Sequence, residues 1–94
     1  MKLIILKKRK NSLICLRRLS YTPYKNRQGR ASFIRRLHGY EFPRFHLYIN
    51  KESDGELHCS IHLDQTAPIY DKGNAHRGDY DSSVVKDEVK RLVG

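Results

Sequence analysis

Hydrophobic and polar residues alternate most regularly between Arg44 and Asp64, in RFHLYINKESDGELHCSIHLD. Phe45, Leu47 and Ile49 interleave with Arg44, His46 and Tyr48. Beyond a turn, Leu57, Cys59, Ile61 and Leu63 interleave with His58, Ser60, His62 and Asp64. A period of two is that of strands with one buried face, so the stretch predicts a β-hairpin. The two apolar sets share a face only if facing residue numbers sum to an even number, because a one-residue slip turns every side chain over. A two-residue turn on Asp54 and Gly55 breaks that rule. A three-residue loop of Ser53, Asp54 and Gly55 keeps it, with Gly55 in the left-handed conformation. The resulting register sets Phe45 opposite Leu63, Leu47 opposite Ile61 and Ile49 opposite Cys59 on the apolar face. On the polar face His46 meets His62, Tyr48 meets Ser60 and Arg44 meets Asp64. The next even register would set His46 against Ser60. The opposite-charge pair favours the first, although it also brings Glu52 against Glu56.

The flanking patterns are shorter. KLIILK, residues 2–7, predicts a buried strand. SLICLRRL after it fits a helix carrying Leu13, Leu16 and Leu19 with Asn11 or Ser12 as its cap, or alternatively a strand returning beside residues 2–7; the helix is preferred. Residues 20–30, SYTPYKNRQGR, show no apolar periodicity and predict a polar loop punctuated by Pro23 and Gly29. ASFIRRL fits a strand or a single helical turn; as a strand it points Phe33, Arg35 and Leu37 to one side and Ser32, Ile34 and Arg36 to the other, and makes a three-stranded meander with the hairpin. Pro43 marks the start of the following strand, where its missing N–H does least harm. Residues 65–81 predict a long loop. The chain closes on a helix capped by Asp81, Ser82 or Ser83, with Val85, Val89, Leu92 and Val93 on one face, an Asp87–Arg91 pair and Gly94 as the stop.

These elements predict a single domain, residues 1–94, of the α+β class. A small antiparallel sheet of three to four strands, centred on the 44–64 hairpin, is packed by the C-terminal helix and by an N-terminal one. The order helix, three strands, helix resembles the double-stranded-RNA-binding topology, but an order of elements defines no function.

Charge divides the chain where pattern does not. Residues 1–44 hold thirteen Lys or Arg against Glu41 alone, a net of +12, whereas residues 45–94 hold six against nine acids, a net of −3. A basic first half beside a mildly acidic second half points to a polyanionic partner, nucleic acid and first of all RNA. Tyr21, Tyr24, Lys25, Arg27 and Arg30 interleave rings with cations, the chemistry that stacks bases and neutralises phosphates. Arg17, Arg18, Arg35, Arg36 and Arg44 extend the set. No basic amphipathic helix with a broad apolar face indicates a membrane surface, and the opening apolar run, Leu3 to Leu6, is too short for a signal peptide or a span. Cys15 and Cys59 are far apart without CxxC spacing, so reduced thiols in a cytoplasmic protein are expected.

The polar face of the hairpin supplies the candidate chemistry. Its bland reading is two hydrogen-bonded imidazoles beside an Arg44–Asp64 ion pair. As catalytic residues, His46 and His62 would act as base and acid in metal-independent RNA cleavage or another phosphoester reaction, with Arg44 for the developing charge. As metal ligands they would need His76, Asp64, Asp79 or Asp81 to complete a set; the spacings match no standard zinc motif, and neither metal nor cofactor is called for. No glycine-rich phosphate loop, HExxH or GxSxG is present. A third class of function, a protein-interaction module such as an antitoxin or a ribosome-associated subunit, would use the acidic second half or a strand edge.

FPRFHLYI, HLDQ, the proline and tyrosine of APIYDKG and AHRGDYD together resemble a group of small uncharacterised bacterial proteins that share the pattern FPRFHxYI, HLDQ, PxY, AHxGxYD. The resemblance spans about residues 33–94. It implies no activity, but it implies that His62, Asp64, Gln65, His76, Gly78, Tyr80 and Asp81 belong to one constellation.

Overall fold

A computed structural model describes residues 1–8, 11–25, 31–65, 78–79 and 82–94. The elements are β1 (Lys2–Leu6), α1 (Ser12–Arg18), β2 (Thr22–Lys25), β3 (Ala31–Arg36), β4 (Arg44–Glu52), β5 (Glu56–Asp64), the short β6 (Gly78–Asp79) and α2 (Ser83–Val93). Five strands form an antiparallel sheet in the order β1-β5-β4-β3-β2, and β6 pairs with the end of β5. The expected α+β class and both helices are present, but the sheet has five strands on its main path rather than three or four. The β3-β4-β5 meander and the final helix match the expected order; β1 and β2 widen the sheet on either side of it.

Every pairing in the sheet keeps its parity over most of its length, so two faces run across all five strands. Odd-numbered residues face the helices. Leu3 and Ile5, Phe33, Phe45 and Leu47, and Leu57, Cys59, Ile61 and Leu63 join Cys15 and Leu16 of α1, Tyr21, and Val85 and Leu92 of α2 in one core. Even-numbered residues form the other face: Lys2, Ile4 and Leu6, then His58, Ser60, His62 and Asp64, then Arg44, His46 and Tyr48, then Ser32, Ile34 and Arg36, then Thr22 and Tyr24. Both helices therefore lie on one side of the sheet, as the apolar face of the hairpin requires.

The helices begin where side chains can accept orphan N–H groups. The Asn11 carboxamide oxygen takes the amides of Leu13 and Ile14, and the Ser82 hydroxyl takes that of Val85. Val93, expected on the buried stripe of α2, is half exposed, because the helix turns it away from Val85 and Leu92. Arg91 pairs with Glu88 rather than with Asp87, since Glu88 lies on the buried side of α2 within reach of both Arg91 and Arg35.

Two further expectations are corrected. Residues 22–25 are a strand and not part of a loop: Thr22 faces Ile34 and Lys25 faces Ala31. Pro23 is tolerated because β2 is a sheet edge, where a missing N–H costs no ladder bond. The hairpin turn is also tighter than expected. Ser53 N–H donates to the Glu56 carbonyl at 3.0 Å, leaving only Asp54 and Gly55 between them, and Gly55 does not take a left-handed φ. Parity is rescued in another place: Asn50 is bulged out between Ile49, opposite Cys59, and Lys51, opposite His58. Glu52 consequently faces Leu57 instead of Glu56 and reaches out to Lys7 at 3.2 Å.

Candidate functional site

Below the bulge the register is the one that alternation predicts: Arg44 opposite Asp64, His46 opposite His62, Tyr48 opposite Ser60. These residues, with Ser32 of β3, build a polar cluster at the centre of the even-numbered face. Ser32, Arg44, His46, His62 and Asp64 are all buried. Burial of so many polar groups is sustainable only where each is hydrogen-bonded.

Asp64 is the hub. Its Oδ1 accepts from His62 Nε2 at 2.7 Å, and its Oδ2 lies 3.0 Å from His46 Nδ1 and accepts from Arg44 Nε at 3.2 Å. Burial by itself would raise the Asp64 pKa, but the hydrogen bonds of His46 and His62, reinforced by their charge, override it and hold the carboxyl well below the usual carboxylate range. Arg44 lies between the rings of Phe42 and Tyr24, 4.4 and 4.5 Å from their centroids, and its Nη1 donates to the exposed Glu41 at 2.9 Å. The His46 ring stacks on Tyr48 at 4.6 Å, meets Tyr24 edge-on at 5.5 Å and lies 5.2 Å from His62.

The position of one proton follows from acceptor counting. The Ser32 hydroxyl has a single hydrogen, and its Oγ is 2.8 Å from the Tyr24 carbonyl oxygen, which can only accept. Ser32 therefore donates to Tyr24, and the 2.9 Å contact between Ser32 Oγ and His46 Nε2 is a bond that His46 donates. His46 Nδ1 then faces a carboxylate oxygen, a contact that is attractive only with a positive centre between them. In this arrangement neither nitrogen of His46 presents a lone pair to a substrate. The ring is poorly placed for general-base chemistry, although the two histidines meet as the sequence predicts.

The residues expected to bind nucleic acid are divided among three environments. Tyr21 is fully buried and its hydroxyl donates to Glu88, so its ring is not available to stack on a base. Arg35 is held by Glu88 in two hydrogen bonds of 3.0 and 3.1 Å, and Arg44 is enclosed in the Asp64 cluster. Arg17, Arg18, Lys25 and Arg36 are exposed and Tyr24 is half-buried, but Arg17 and Arg18 belong to α1, on the side of the sheet opposite Tyr24 and Arg36. Among the described residues the basic first half is therefore not one continuous surface. Arg27 and Arg30 lie outside the described residues, as do His76, Tyr80 and Asp81 of the expected constellation. Of the rest of that constellation, Gly78 is paired with Asp64 across the β5–β6 ladder, and Gln65 is exposed.

Sequence reasoning missed Ser32, although its parity with Tyr48 was a usable signal. It also missed Glu88, which lies on the opposite face of the sheet and collects Tyr21, Arg35 and Arg91. Burial opposes ionisation of Glu88, but the hydrogen bonds from Arg91, Arg35 and Tyr21 outweigh it and bring its pKa down to about 2. The same burial, with Glu88 as acceptor, raises the Tyr21 pKa well above the ordinary phenol range.

No protein-family model matches the chain, and no curated protein or solved structure matches it significantly. Among the described residues no helix is long and apolar enough to cross a membrane.

Proposed function

We propose that the even-numbered face of the sheet binds single-stranded nucleic acid, RNA in the first instance. The observation that carries the reading is the composition of that face: half-buried Tyr24 and Tyr48 share it with exposed Lys2 and Arg36, on the side of the sheet away from both helices. Aromatic side chains on a sheet offer sequence-tolerant stacking surfaces, and cations around them neutralise phosphates. The buried Asp64 cluster beneath holds Tyr24 through Arg44 and Tyr48 through His46, so these rings are fixed before a base arrives. The +9 net charge of the chain supports the same reading through long-range attraction.

Fluorescence anisotropy with labelled RNA and DNA oligonucleotides, single- and double-stranded, tests it. Saturable binding that prefers single-stranded RNA is expected. Affinity should fall with salt at roughly 0.7 log units per log unit of salt for each phosphate neutralised. Absent binding, or binding insensitive to salt, would overturn the reading. A single protein captured in stoichiometric amount without nucleic acid would favour the interaction-module alternative instead.

A further inference from the structure

We propose that His46, His62 and Asp64 form a binding site for a divalent transition-metal ion of the zinc or cobalt(II) class, one ion per chain. Each of the three residues offers one ligand atom, all three are buried, and the three atoms lie within 4.8 Å of one another. Ligand atoms around a tetrahedral ion with bonds of about 2.0–2.2 Å lie roughly 3.3–3.6 Å apart, so small side-chain shifts suffice to admit the metal. His62 and Asp64 are two residues apart on β5 and His46 is directly opposite His62 on β4, so a rigid strand pair fixes all three.

Proton accounting points the same way. The hydroxyl of Ser32 is spent on the Tyr24 carbonyl, so His46 Nε2 carries a hydrogen and Nδ1 meets Asp64 across a positive centre. In the metal-free protein that centre is a proton. A metal ion bound to Asp64 Oδ1 takes over the role of that proton: the proton of His46 Nδ1 passes to solvent and His62 shifts to its Nδ1–H form, giving up the proton on Nε2, so that both freed lone pairs bind the ion. The surrounding contacts are those that metal-bound histidines and carboxylates use. His46 donates its other ring N–H to Ser32, and Arg44 binds Asp64 Oδ2, while the ion takes Oδ1 in place of the His62 N–H. Two imidazoles with one carboxylate select zinc-like ions over magnesium or calcium, which take oxygen ligands. The neighbouring guanidinium opposes a dication.

The full chain, stripped with chelator and dialysed, is titrated with Co²⁺ and then with Zn²⁺. Visible d–d bands should saturate at one equivalent of Co²⁺ and disappear as Zn²⁺ displaces it. In long-range ¹H–¹⁵N spectra Zn²⁺ should move the ring nitrogens of His46 and His62 and leave those of His38 and His58 in place. His46→Ala or His62→Ala should weaken binding at least hundredfold. Ser32→Ala should weaken it roughly 10- to 100-fold, and His58→Ala should not change it. Absence of Co²⁺ bands at millimolar metal, or shifts confined to His38 and His58, overturns the proposal. Because the spectra are taken on the wild-type chain, their outcome is decisive even if a histidine variant does not fold.

Discussion

The Tyr21 hydroxyl donates to the Glu88 carboxylate at 2.7 Å, joining residues 67 apart in sequence and tying the start of β2 to the middle of α2. Arg35 from β3 and Arg91 from the next turn of α2 complete the ring around the same carboxylate. Removing the phenol alone leaves Glu88 with two guanidinium partners. Tyr21→Phe is therefore expected to cost only about 1 kcal/mol, read from the urea midpoint.

Acid should act through Glu88 in a defined window. Its pKa lies at about 2 in the folded chain, below the ordinary glutamate value, so ionised Glu88 stabilises the fold above that ordinary value. The contribution is lost as pH falls from about 4.5 towards 2, and it amounts to roughly 2 kcal/mol after allowance for the partly solvated Arg35 and Arg91. Glu88→Gln should be less stable than wild type at pH 6 and should lose less between pH 5 and pH 3. Parallel urea titrations of the two proteins measure the difference; equal acid sensitivity would contradict the assignment.

Asn50 is the extra residue that reconciles a two-residue turn with a shared apolar face. Deleting it should produce an unbulged ladder that keeps Ile49 opposite Cys59 and Lys51 opposite His58. The hydrogen bond from its side chain to Ser60, at 2.6 Å, is exposed and its loss should cost little. The deletion variant is expected to unfold cooperatively with a change of no more than about 1 kcal/mol. Loss of cooperative unfolding would show that the bulge has another role.

Both thiols lie in the core, and burial, with a further contribution from Cys15, pushes the Cys59 thiol up to about 12. Neither should react with a thiol reagent at pH 8 in the native protein on a scale of minutes, whereas two equivalents should react in urea. Rapid native labelling of either cysteine would contradict the burial of both thiols in the core.

The paired-histidine register was legible because alternation in β4 and β5 is nearly unbroken and an opposite-charge pair selects one of two registers. Parity could not reveal where the extra residue would go. It allowed a three-residue loop as readily as a tight turn with a bulge, and the Glu52–Glu56 repulsion was the available sign against the loop. β2 was illegible because TPYK has no apolar alternation and contains proline; pairing with β3 defines it. Tyr21 read as a loop tyrosine because its partner, Glu88, is brought to it only by tertiary folding. In α2 the stripe of Val85, Val89 and Leu92 was evident, yet helical spacing alone could not choose between Asp87 and Glu88 as the partner of Arg91.

Binding on the even-numbered face is tested most directly by amide chemical-shift mapping with a short single-stranded RNA at low salt. The expected perturbations cluster at Lys2, Tyr24, Arg36 and Tyr48, with Arg17 and Arg18 on α1 unchanged, and they vanish in a Tyr24→Ala, Arg36→Ala double variant. Perturbations confined to α1 and α2, or none at millimolar RNA, would contradict it.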